Sequence, residues 1–215
     1  MIIKQMIVGH MAVCCYIVGC PQTKKALFID PAGNEDEVVQ AAKDLGLEIQ
    51  YVVNTHGHPD HTCGNRRIKE LTGAQIVMHE MDDDLFSDPK IQMFYRQMGF
   101  DPVPPADIRI KDGDTITVGN AALKAIHTPG HTPGAICLYG EGNLFTGDTL
   151  FVGAVGRTDL PGGSLETLLQ SIKERILVLP DETIIWPGHD YGDSPVSTLG
   201  EERETNAYIT DFIRT

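Results

Sequence analysis

Thr55-His56-Gly57-His58-Pro59-Asp60-His61 puts three histidines and an aspartate within seven residues, directly after a short apolar run at 49–53. A lone histidine is usually a satisfied structural residue, and His10 and His79 are read that way. Several imidazoles on one loop are different, because burying them without a cation leaves polar nitrogens unpaired at about 1–3 kcal/mol each. The i, i+2 spacing lets His56 and His58 face one ion from an extended loop, while Asp60 and His61, coming after Pro59, can turn toward a second. Further along, His131 follows Thr128-Pro129-Gly130, Asp148 follows Thr146-Gly147 and His189 follows Pro187-Gly188. Each comes just after an apolar, strand-like run, where side chains from separate strands can converge. Imidazole and carboxylate without thiolate suit zinc, iron, manganese or nickel.

Outward from that loop, apolar β-branched runs at 2–8, 12–19 and 26–30 predict strands. Residues 34–46 carry Val38, Val39, Ala41, Ala42 and Leu45 at helical spacing, with acidic residues in the first turn and Gly46 at the end. A helix is expected at 65–73 and a strand at 75–78. Residues 82–105 are the least regular stretch, read as a docking helix plus an extended connector, or as a wall beside the substrate mouth. Strands follow at 108–110, 115–118, 121–126, 135–139 and 144–145. An amphipathic helix is expected over 165–176, a last strand at 183–186 and a terminal helix at 206–214. Helices precede and follow two blocks of strands, so two sheets covered by helices is the natural packing.

The 215 residues carry 17 basic and 30 acidic side chains, a formal net charge of −13. Such a surface repels phosphate backbones and anionic headgroups, which excludes nucleic acid and membrane surfaces as partners. Cys14, Cys15, Cys20, Cys63 and Cys137 form no C-x-x-C pair, so free thiols in a reducing, cytoplasmic setting are expected. Cys63 is read as a small buried side chain at a helix start in preference to a redox switch. The apolar run at 6–20 is poor in leading positive charge and is read as strand rather than export signal. No stretch is long and apolar enough to span a membrane.

Taken together, H-x-H-x-D-H at 56–61 with the later Gly-His, Gly-Asp and Gly-His elements resembles the metallo-β-lactamase superfamily. That resemblance covers nearly the whole chain and implies an α/β (α+β) fold, a four-layer αββα sandwich of two mixed sheets flanked by helices, as one domain over 1–215. It assigns His56, His58 and His131 to a first metal, Asp60, His61 and His189 to a second, and Asp148 to a bridge between two divalent ions, zinc first with iron or manganese as alternatives. His127 is expected to be structural. Thr146-Gly147-Asp148-Thr149-Leu150-Phe151, Gly156-Arg157-Thr158-Asp159 and His189-Asp190-Tyr191 are similar to the glyoxalase II group, which places Arg157 and Tyr191 against a glutathione-linked thioester. For each the bland alternative is an ion pair of Arg157 with Asp159 and a packed Tyr191 ring. The chain ends soon after His189, whereas glyoxalase II itself carries a further helical domain, so the shorter hydrolases of that type are the better likeness. The implied chemistry is thioester or ester hydrolysis by a metal-bridging hydroxide that Asp60 helps to orient. A thiolate leaves without a dedicated acid. The rival implied by the same relatives is a mononuclear Fe(II) persulfide dioxygenase built on His56, His131 and Asp148, which Ser197-Thr198-Leu199-Gly200-Glu201-Glu202 also resembles. The oligomeric state stays open.

Overall fold

The computed structural model describes residues 1–213. Strand β2 (Val13–Gly19) is buried along its whole length and explains the layering. Successive strand side chains point to opposite faces. Cys14, Tyr16 and Val18 accordingly join one apolar cluster with Leu27, Ile29 and Val53 and, from the other sheet, Val118, Leu123, Leu138 and Phe145. Cys15 and Ile17 join a second with Val38, Ala42 and Ile68, residues of helices α1 (Glu35–Asp44) and α3 (Asn65–Thr72). The same alternation recurs in strand β9 (Ile136–Gly140): Ile136 and Leu138 face the inter-sheet core, and Cys137 faces a third cluster with Leu168, Ile172 and Ile209. Helix, sheet, sheet, helix is the observed order of layers, as expected.

The first sheet runs β1 (Ile2–Val8), β2, β3 (Lys25–Ile29), β4 (Glu48–Val53), β5 (Gln75–His79), β6 (Ile108–Ile110). Its first two pairings are antiparallel, and its last three are parallel through crossovers that include α1 and α3. The second sheet contains β7 (Thr115–Val118), β8 (Ala121–His127), β9, β10 (Asn143–Gly147), β13 (Ile184–Pro187) and β14 (Ser197–Thr198). Strands β8 and β10 are both antiparallel to β9, and β10 is parallel to β13, so β8, β10 and β13 all end at the same edge. Between β10 and β13 lies a small hairpin of β11 (Leu150–Phe151) and β12 (Ala154–Val155) that the sequence did not signal.

The helices depart from expectation at their ends and in the 82–105 stretch. Asn34 is left-handed (φ 52°) and sits outside α1, its side chain taken by the Gly9 N–H at 3.1 Å. In place of one docking helix there are two, α4 (Glu80–Ser87) and α5 (Pro89–Gln97), because Asp88 caps the second by accepting from the Lys90 N–H at 2.7 Å and Pro89 fits a first helical turn. The helix expected at 165–176 starts as α6 (Leu165–Ser171) and widens into a π-helical turn, Ile172–Ile176. The terminal segment is α7 (Leu199–Thr205) followed by α8 (Ala207–Phe212), which Asn206 caps; Arg214, in the expected terminal helix, lies outside the described residues. Among the described residues no helix is long and apolar enough to cross a membrane.

Candidate metal centre

Each of the seven sequence-predicted metal ligands lies on a segment that follows the C-terminal end of a strand. His56 and His58 follow β4, and Asp60 and His61 sit on the one-turn helix α2 (Pro59–Thr62) that comes next. His131, Asp148 and His189 follow β8, β10 and β13, the three strands that share a direction. The chain therefore brings them together across both sheets. His56, His58 and His131 offer ligand atoms within 4.8 Å of one another, and Asp60, His61 and His189 form a second such group. The His58 Nδ1 to His131 Nε2 distance is 2.8 Å, and His61 Nε2 to His189 Nε2 is 3.1 Å. Asp148 spans the two groups. Its Oδ1 lies 3.4 Å from His61 Nε2, and its Oδ2 lies 3.5 Å from both His131 Nε2 and His189 Nε2.

Two glycines explain why ligands on the second sheet are introduced by Gly. Gly147 holds φ +48°, and a Cβ there would lie 2.3 Å from Thr55 Oγ1. At Gly188 a Cβ would come 2.2 Å from Asp148 Oδ1, so only glycine lets the β13 end approach the Asp148 carboxylate.

A second set of partners fixes how the rings are presented. Thr55 donates its hydroxyl proton to Asp30 Oδ2 at 2.6 Å, which leaves its oxygen to accept from His56 Nδ1 at 3.1 Å. His61 Nδ1 is held by Asp30 at 3.0 Å, His131 Nδ1 by the Arg157 carbonyl at 2.7 Å and His189 Nδ1 by the Met11 carbonyl at 3.1 Å. A proton committed at Nδ1 leaves the Nε2 lone pair free, so four rings are presented as Nε2 ligands. His56 Nε2 and Asp148 Oδ1 are buried with no hydrogen-bond partner among the described residues. Ligation at about 2.0–2.1 Å around a tetrahedral ion sets neighbouring nitrogens ~3.3 Å apart, close to the separations observed. The donor set fits divalent cations.

The electrostatics agree. Burial and the surrounding imidazoles push His56 and His58 well below the usual histidine range, which keeps them neutral. For His61, burial also opposes charge, yet Asp148, Asp60 and Asp30 overcome it and raise the ring to about 10. Burial likewise works against the Asp148 carboxylate, but His61, His189 and His131 hold it well below the ordinary carboxylate range. The site is built to hold positive charge.

Asp30, Thr55 and Asp82 escaped sequence reasoning. Asp82, fully buried on α4, accepts from the Gly57 N–H at 2.7 Å, Thr132 Oγ1 at 2.7 Å and the Gly134 N–H at 2.6 Å. One carboxylate thus clamps the His56–His58 loop to the His131 loop. Neither aspartate sits in a local pattern that sequence could flag; the one cue to Asp30 is its place at the end of an apolar strand.

Above the metal groups opens a cavity of about 310 Å³ whose lining includes His58, Asp60 and Asp148, with Tyr95, Met98 and Phe100 from α5 and the connector after it. The 82–105 stretch is therefore both a docked element and a wall of the mouth. Arg157 and Tyr191 reach the rim of this cavity. Arg157 is bidentate to Asp159 at 2.6 and 2.7 Å, and the Tyr191 ring stacks on His189 at 4.6 Å. His127 is not drawn in: its Nε2 bonds the Pro133 carbonyl and its ring stacks on His79 at 4.3 Å, while His79 caps α4. His10 is exposed on the turn between β1 and β2. Cys63 corrects the expectation of a buried helix-start thiol. It is exposed, because it ends α2 rather than starting α3 and its side chain faces outward. Burial of the other cysteines as free thiols is as expected.

A family model described as the metallo-beta-lactamase superfamily matches residues 8–189. The chain is 33% identical over 190 residues to hydroxyacylglutathione hydrolase GloC of Haemophilus influenzae, covering 86% of this chain and 88% of that one. It is 35% identical over 213 residues to the mitochondrial persulfide dioxygenase ETHE1 of Bos taurus, covering 97% of this chain and 76% of that one. Among solved structures, the BLEG-1 B3 metallo-beta-lactamase superposes with a TM-score of 0.87 at 31% identity, over 97% of this chain and all of that one.

Proposed function

Because the chain belongs to the metallo-beta-lactamase superfamily and keeps both ligand groups intact, we propose that it is a metal-dependent hydrolase of small thioesters of the S-acyl glutathione kind. The observation that carries this reading is Asp148, whose carboxylate reaches His131 of the first group and His61 and His189 of the second, an arrangement suited to a pair of ions. His56, His58 and His131 would hold the first ion and Asp60, His61 and His189 the second. Divalent cations held there supply a water acidic enough to be a nucleophile near neutral pH and a Lewis acid for the acyl oxygen. Asp60 has a side chain 19% exposed, against 9% for Asp148, and lines the cavity, so it is the carboxylate placed to orient the attacking water and take its proton.

The leaving group separates thioesters from amides. Apart from the ligand groups, the titratable side chains lining the cavity are Tyr95, Arg157 and Tyr191. Burial raises both phenols above the ordinary tyrosine range and Asp159 holds the guanidinium charged, so all three are poor proton donors to a departing amine at neutral pH, whereas a thiol near 8.5 leaves as thiolate unaided. Arg157 and Tyr191 at the rim are the groups available to a glutathione-type carrier. A second reading, persulfide dioxygenase chemistry at His56, His131 and Asp148, is favoured by the 35% identity to the bovine enzyme of that name. Metal quantification on protein purified without added metal, followed by turnover of S-lactoylglutathione, tests the proposal. Turnover dependent on the bound metal supports it. Inertness toward thioesters with oxygen uptake on glutathione persulfide would replace it with the second reading.

A further inference from the structure

Outside the metal-ligand groups, Tyr95 is the one residue lining the cavity whose buried polar atom has no hydrogen-bond partner among the described residues. Only 5% of it is exposed, and the atom concerned is its hydroxyl. Buried hydroxyls are nearly always bonded, and one left without a partner calls for an explanation. The ring is not free to swing away: it lies 5.7 Å from Phe86, 5.1 Å from Phe94 and 5.9 Å from His58, one of the first group of metal ligands. Much of the wall around it is apolar, Met98, Phe100, Met11, Phe151 and Leu160 among its lining. An apolar pocket with a single fixed donor recognises a small apolar group that carries one oxygen.

Depth decides which part of the substrate meets that donor. Arg157 and Tyr191 are largely exposed, at 62% for the Arg157 side chain and 60% for Tyr191, so the polar carrier belongs at the rim. Buried Tyr95 shares the inner cavity with His58, Asp60 and Asp148, where the acyl group must sit to react. Resting on the hydrolase reading above, we propose that Tyr95 is a specificity-determining residue: its hydroxyl donates a hydrogen bond to an oxygen on the acyl carbon next to the scissile carbonyl, selecting 2-hydroxyacyl over plain alkanoyl thioesters. A site built to bond a substrate oxygen discriminates against the analogue that lacks it, because the buried donor is then left unpaired.

Tyr95→Phe removes the hydroxyl alone and breaks no bond among the described residues, so the fold is retained. With the metal-loaded chain, wild type should prefer S-D-lactoylglutathione to S-propanoylglutathione. Y95F should lose about 10-fold to 100-fold in kcat/KM on the lactoyl substrate and gain on the propanoyl one, which no longer strands a buried donor. Calorimetric binding of the acid products gives a readout without turnover: D-lactate should bind wild type more tightly than propanoate, and Y95F should bind the two alike. Equal losses on both thioesters, no loss on either, or equal binding of the two acids by wild type would overturn the assignment. Should wild type turn over neither thioester, the hydrolase reading falls while the binding comparison still decides the role of Tyr95.

Discussion

The floor of the cavity and its wall are built on opposite plans. On the floor the histidines lie just beyond strand ends, are buried, and four of the five have their rings oriented by a named partner, as Asp30 orients His61 and the Arg157 carbonyl orients His131. The wall comes from α5 and the connector after it, where Met93, Phe94 and Met98 are exposed and Tyr95 alone is buried. Rigid sheet ends suit atoms that must hold ions to within fractions of an ångström. A short exposed helix suits contacts that choose among substrates. Changes to the floor should therefore abolish activity toward every substrate, and changes to the wall should alter preference.

The sharpest break comes from Asp148. Asp148→Ala removes the carboxylate that lies between the two proposed ion sites and should lower turnover by about 1,000-fold or more while reducing bound metal, measured by elemental analysis beside kinetics. Retention of full metal with ordinary turnover would show that the floor does not work as one unit. Asp30→Asn acts one step back. The ligands remain, but His61 loses its charged partner, so metal affinity should fall about 10-fold to 100-fold, read by competition with a chelator. Should affinity not move, ring orientation is set elsewhere.

Metal removal compares the two regions directly. At free metal about 100-fold above Kd, binding contributes about 2.7 kcal/mol to stability, so chelation should lower Tm by roughly 5–11 °C for a chain of this size. Hydrogen exchange should quicken at the loop bearing His56 and His58 more than along α5. Protons report the same event. In metal-free protein His61 is raised to about 10 from an ordinary histidine value, so its charge contributes stability that is full below about pH 6.5 and is lost as pH rises through about 10. Loading metal at pH 8 should therefore release about one proton from that ring, measured by calorimetry in buffers of different ionisation enthalpy. The smallest effect belongs to the rim. Arg157→Ala breaks an exposed pair with Asp159 and should cost stability no more than about 1 kcal/mol; its mark should be a higher KM for glutathione-linked substrates with kcat retained.

This contrast also governs what the sequence could disclose. Floor ligands announce themselves because several ion-binding side chains must share one short loop, and because Gly147 and Gly188 have steric reasons to precede Asp148 and His189. The layer order was legible because helical segments precede and follow two blocks of apolar strand runs. The supporting carboxylates were not: Asp82 meets Gly57, Thr132 and Gly134 across 25 to 52 residues of chain, and a single aspartate carries no period or spacing. Asp88-Pro89 did hold a helix-start signal that divides the 82–105 stretch, but the surrounding aromatic residues obscured it. Tyr95 was hidden among those aromatics, since sequence cannot tell a buried orphan hydroxyl from a packed ring.

Anomalous scattering from crystals of the metal-loaded protein tests most directly whether a pair of ions is bridged by Asp148. Two peaks are predicted, one within ligating distance of His56, His58 and His131 and the other of Asp60, His61 and His189, with Asp148 between them. A single fully occupied peak held by His56, His131 and Asp148, with none at the second group under saturating metal, would contradict it.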